Sequence, residues 1–193
     1  MLSAYLRGMG YELEYQQKVI TQTQNWIREL VIGCNFCPFA GREVKRDSVH
    51  YRVSEATTLL TVKEHFQEEC RLLDKDRTIA TTLLILPAAF PVFKDYLEMV
   101  TAAEQQLQRK KYEGIYQVAG FHPLYQFDGT DAEDAANYTN RSMYPMLHIL
   151  READIRKALQ FYALSPEEIP ARNINFAREK GTAYLKMLRD SCF

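Results

Sequence analysis

The chain has 193 residues, a length that suits one domain, and its 47% hydrophobic and 12% aromatic residues supply an ordinary core without disulfides or a structural metal. Twenty-four basic residues stand against 25 acidic ones, a formal net charge of −1 that excludes the broad basic surface of a nucleic-acid or anionic-membrane binder. No apolar run approaches the roughly 18 residues of a membrane-spanning helix, and the N-terminal MLSAYLRGMGYELE lacks the apolar core of a secretory signal. The expectation is a cytoplasmic protein with its cysteines kept as thiols.

In chain order, Val19, Thr23, Trp26, Ile27, Leu30 and Val31 recur at helical spacing, and Gly33 followed by Pro38 ends this first helix. Val49, Tyr51 and Val53 alternate with His50, Arg52 and Ser54, as in a half-buried strand. A second helix, capped by Thr57 or Thr58, carries Leu59, Val62, Phe66, Cys70 and Leu73 on one face. IATTLLIL, residues 79 to 86, reads as a strand covered on both faces and therefore central. Pro91 opens a third helix marked by Phe93, Leu97, Val100 and Leu107 and closed by Arg109, Lys110 and Lys111. GIYQVAG, residues 114 to 120, supplies a third strand. Beyond it, PMLHILRE predicts a helix starting at Pro145, and Ser165-Pro166-Glu167-Glu168 forms a capping box for a later one. The order predicts a single α/β domain, with a small, mainly parallel sheet of about three strands flanked by helices and a helical C-terminus; α+β is the alternative.

Polar chemistry collects in residues 121 to 151, which hold His122, His148, Asn137, Asn140, Arg141, Ser142 and Arg151 among Phe121, Tyr125, Phe127, Tyr138 and Tyr144. Aromatic walls with directional polar groups suit a small-molecule pocket. If the three strands are parallel, this segment begins at their C-terminal edge, where open α/β sheets bind ligands, and Glu55 joins it from the end of the first strand. On the predicted helix, His148 and Arg151 share a face.

Cys34-Asn35-Phe36-Cys37 is a C-x-x-C pair. It follows a helix end, whose negative pole opposes thiolate formation, and no second pair completes a zinc site. Structural thiols, a site built on Cys37 and a redox pair remain three readings.

Several blocks together resemble the bacterial family catalogued as domain of unknown function 1415: IGCNFCPFA at 32 to 40, VSEA at 53 to 56, TTLLILP at 81 to 87, FHPLYQFDGT at 121 to 130, DAANYTNRSMYPMLHILRE at 134 to 152 and IPARNI at 169 to 174. The chain departs from the family's pattern at Cys34 and Leu124. The resemblance spans about residues 13 to 190, leaving 1 to 12 as an extension. It implies no activity or cofactor, but it puts Cys37, Glu55, His122, Asn137, Asn140, Arg141, His148 and Arg151 in the family's blocks, with Arg172 and Asn173 closing the pocket from the C-terminal helices.

The expectation is an enzyme or ligand-binding domain for a small polar or anionic metabolite. Arg141 and Arg151 hold a carboxylate or phosphate, His122 or His148 acts as general acid/base, Asn137 and Asn140 orient the ligand, and Cys37 is the candidate nucleophile. Two alternatives stand beside it: a metal site of Cys37, His122 and His148, and an interaction module docking through the aromatic segment.

Overall fold

In the computed structural model, which describes residues 2–160, 162 and 168–193 and side chains from Glu12 onward, helix α1 (Leu2–Trp26) passes through the expected 12/13 boundary without a break. It continues as a π-helical segment, Ile27–Ile32. There follow α2 (Ala40–Lys45), β1 (Val49–Val53), α3 (Leu59–Lys75), β2 (Thr81–Ile85), α4 (Phe93–Arg109), β3 (Tyr116–Phe121), β4 (Met146–Arg151), α5 (Glu152–Leu159), α6 (Glu168–Lys180) and α7 (Thr182–Asp190). Thr58 is the N-cap of α3, its Oγ1 accepting from the Thr61 N–H at 3.2 Å. Pro91 stands just outside α4, before the N-cap Val92. The expected capping box at 165 to 168 lies outside the described residues except for Glu168, where α6 begins.

The architecture is α/β, but the sheet has four strands rather than three and is mixed, in the order β1-β2-β4-β3. β1 and β2 are parallel, whereas β4 is antiparallel to both β2 and β3. The three strands read from the sequence therefore do point the same way, with a reversed strand inserted between the second and third. That strand is Met146–Arg151, where periodicity predicted a helix from Pro145. Covered on both faces, it has no alternation to betray it, and its two polar residues, three positions apart, imitate a helix face. On a strand the same spacing puts His148 and Arg151 on opposite faces.

One sheet face, with Leu84, Leu147 and Ile149, packs against Val62, Phe66 and Leu73 of α3 and Tyr96 and Met99 of α4. The other, with Leu83, Ile85 and Met146, packs against Trp26, Ile27, Leu30 and Val31. The π-helical segment presents Ile27, Leu30 and Val31 to the sheet beside Trp26, the last residue of α1. A third cluster joins Cys34 and Phe36 to Tyr138, Ala177 of α6 and Leu185 of α7. Losing a fully buried leucine such as Leu84 to alanine costs about 2–5 kcal/mol in such settings.

Tyr96 reaches under β3 to donate its hydroxyl to the Met146 carbonyl at 2.8 Å. This is possible because residue 120 is glycine: a Cβ there would lie 2.6 Å from the Tyr96 hydroxyl oxygen. Gly120→Ala is therefore expected to displace Tyr96 and destabilise the fold by about 1–3 kcal/mol, measured by urea denaturation. An unchanged midpoint would show that the close approach is relaxed at no cost.

Candidate functional site

Within the 121 to 151 segment, where the ligand pocket was expected, the polar side chains from 122 to 145 bond mostly to main-chain atoms of the segment and its neighbours. His122 lies buried against Phe93 and Tyr96, on the α4 side of the sheet. Its Nδ1 accepts the Leu124 N–H at 3.0 Å, so its Nε2 carries the proton and donates to the Phe90 carbonyl at 2.9 Å. Phe90 has φ of 54°, an uncommon value for a bulky residue, and His122 holds its carbonyl in place. Asn137 is fully buried: its Oδ1 accepts from the Phe127 N–H and the Thr130 hydroxyl, both at 3.0 Å, and its Nδ2 donates to the Asp131 carbonyl at 2.9 Å. Asn140 donates to the Gly120 carbonyl at 3.1 Å. Arg141 donates to the carbonyls of Tyr125 at 3.0 Å and Ala132 at 2.6 Å, and its guanidinium lies over the Tyr138 ring. The segment has little regular structure, so these side chains replace the backbone ladder it lacks. Tyr138 is buried, and Tyr125, Phe127 and Tyr144 are partly buried.

Arg151 is buried on the α3 side. Its guanidinium donates to the carbonyls of Leu73, Asp76 and Ile79 and to the Tyr116 hydroxyl. The positive charge thus sits on the unsatisfied carbonyls at the C-terminus of α3, at the opposite sheet edge from His122. Glu55 is exposed beside α1, accepting from Gln16 at 3.4 Å. Arg172 donates to the Asn35 carbonyl, and Asn173 to that of Phe36 at 2.7 Å, so they fasten the turn after the π-helical segment.

Three of the expected residues meet elsewhere. A cleft of about 760 Å³ lies on the sheet face opposite α3 and α4, lined by Trp26, Val31, Leu83, Ala119 and Phe121, and Cys37, His148 and Arg151 also contribute to its wall. This volume falls within the usual range for small-molecule sites, as does the mainly apolar lining. The His148 Nε2 lies 2.7 Å from Thr81 Oγ1, which in turn donates to the Ile149 carbonyl at 2.6 Å. Burial pushes the His148 imidazole down to about 4, so it is neutral at physiological pH. The Cys37 thiol is pushed up by burial, although the Phe39 and Ala40 amides partly oppose this. Cys37 and His148 are thus uncharged points in a wall that also holds the polar Ser48, Thr78, Thr81 and Gln117 and the buried Arg151.

Its mouth differs. Arg42, Arg46, Arg77 and Lys157 border the cleft together with Glu43 and Asp154. Arg42 pairs with Glu43 at 3.1 Å, and Asp154 approaches Arg151 at 3.9 Å. Arg46, Arg77 and Lys157 are exposed and have no ion-pair partner among the described residues. Thr81 and these three cations were not singled out from the sequence. Thr81 sits inside an apolar run, and the cations lie about 30 to 80 positions apart, so only folding groups them.

Cys34 and Cys37 are both free thiols that point into different clusters, Cys34 toward Ala177 and Leu185 and Cys37 toward the sheet face. The expected ligand set Cys37, His122 and His148 does not converge, because the two histidines occupy opposite faces of the sheet. No group of three His, Cys, Asp or Glu residues suited to a metal ion exists among the described residues. No described helix is long and apolar enough to cross a membrane.

A family described as a protein of unknown function (DUF1415) matches the chain over residues 18–187. No curated protein and no solved structure matches it.

Two outcomes are expected. Asn137→Ala removes the acceptor of two bonds and the donor of two more in a fully buried site, and should lower stability by about 1–3 kcal/mol in chemical denaturation. His148 has an ordinary value of 6.5, so between pH 6.5 and about 4 the unfolded chain binds a proton that the folded chain refuses. Its contribution to stability is complete above pH 6.5 and is lost on acidification, at up to about 1.4 kcal/mol per pH unit. His122 is shifted in the same direction by burial and adds to this loss. Denaturation midpoints of His148→Gln between pH 4.5 and 7 should depend less steeply on pH than wild type; equal slopes would contradict the burial of a neutral imidazole.

Proposed function

The chain belongs to the DUF1415 family of proteins of unknown function, and from that premise we propose that it is a ligand-binding domain whose sheet-face cleft takes a small molecule with an apolar body and an anionic head. The observation that carries this reading is the union of a mainly apolar cleft of about 760 Å³ with a mouth bordered by Arg46, Arg77 and Lys157, none of them neutralised by a carboxylate among the described residues. An apolar body gains about 25 cal/mol for each Å² it removes from water, and the low-dielectric walls focus the positive field on the head. Carboxylate and phosphate are the natural heads for guanidinium groups, which bind both in bidentate geometry. The small polar or anionic ligand expected from the sequence is kept as an anionic one, and its proposed site shares Phe121, His148 and Arg151 with the 121 to 151 segment.

The test is a thermal-shift screen of aryl and alkyl carboxylates and phosphate esters, followed by calorimetry on the binders. Binding should weaken as salt is raised, and Ala119→Trp, which fills the cleft from β3, should weaken it about tenfold or more. A panel without a single binder, or binders indifferent to Ala119→Trp, would refute the assignment.

A further inference from the structure

The Thr81 hydroxyl has one proton, and the Ile149 carbonyl, which can only accept, takes it at 2.6 Å. In its 2.7 Å contact with His148 the Thr81 oxygen must therefore be the acceptor, and Nε2 must carry the imidazole proton. A neutral imidazole has only one, so Nδ1 is left as a bare lone pair. Nδ1 makes no hydrogen bond to any described residue, and it is not among the sealed polar atoms that lack a partner. His148 lines the cleft, so this acceptor is reached from the cleft. The geometry does not depend on the ligand: the backbone of β4 orders Thr81, and Thr81 orders the ring.

We infer that His148 is a specificity-determining residue of the cleft, its Nδ1 accepting a hydrogen bond from an alcohol or phenol hydroxyl on the ligand's inner end. This rests on the proposed function above and adds a second recognition point to it. A carboxylate at that position would meet lone pair with lone pair, and an ammonium would have to leave water for an apolar floor with no counter-charge. A hydroxyl supplies the missing donor while remaining neutral. The ligand is then bifunctional, with an anion at the basic mouth, an apolar middle and a hydroxyl at the floor. Burial keeps the imidazole unprotonated, so the acceptor persists throughout the neutral range. The charged groups bordering the same cleft, Glu43 and Asp154 among them, make no ion pair with His148.

The experiment compares matched pairs, 4-hydroxyphenyl against phenyl alkanoates with one to four methylenes, by calorimetry at pH 7 on the full chain. The hydroxylated member of the best-fitting pair should bind about tenfold or more tightly, and His148→Phe should abolish that preference while still binding the phenyl member. ¹⁵N NMR of the unliganded protein should show Nε2 protonated and Nδ1 unprotonated, with the Nδ1 signal moving when the phenol is added. If both members bind equally, or if Nδ1 carries the proton, the inference falls and the proposed function stands. If no pair binds at any length, both fall.

Discussion

β4 runs backwards between β2 and β3, and the hydrogen bonds it makes on both of its edges hold the rest of the molecule in relation to it. The insertion separates two strands that a simple crossover fold would have paired. It also sends alternate residues of one short strand into different surroundings. Arg151 points toward α3 and satisfies carbonyls at its C-terminus. His148 points toward the π-helical segment and reaches the cleft. One residue completes the core on its side, and the other is left with an acceptor to offer.

The segment that connects β3 to β4 shows how structural and functional compositions come to look alike. It is long, largely irregular and packed against the body, so its backbone groups need partners that no ladder supplies. Asn137, Asn140, Arg141 and His122 supply them, each bonded to main-chain atoms of the segment or its neighbours. A ligand site needs the same kinds of side chain, for the same reason: each makes directional bonds to planar polar groups. What separates the two uses is whether the bonds are already made, and in this segment they are.

The cleft has the reverse economy. Its lining is mainly apolar, Cys37 and His148 are held neutral by burial, and apart from the buried Arg151 its charge lies at the rim. On the proposed function, a neutral imidazole and a thiol in low dielectric would favour recognition through hydrogen bonding and shape, with electrostatic attraction acting first at the mouth. The π-helical segment matters here because it brings Ile27 and Val31 onto the wall beside Trp26, the last residue of α1, and π-helical turns recur at functional sites.

The sequence by itself determined the α/β class, the buried strand within 79 to 86, the amphipathic helices and the common direction of β1, β2 and β3. These are local or additive signals: periodicity, caps and a β-branched run stopped by proline. It did not determine β4, because a strand buried on both faces and a short buried helix carry the same apolar pattern. Only the tertiary structure decided that His148 and Arg151 part company, that the asparagines and Arg141 are spent on their own loop, and that Arg46, Arg77 and Lys157 border one mouth. The physical reason is common to all three. Which face a strand residue takes, whether a polar atom already has a partner, and which distant charges become neighbours are properties of pairing between segments, and no single segment contains them.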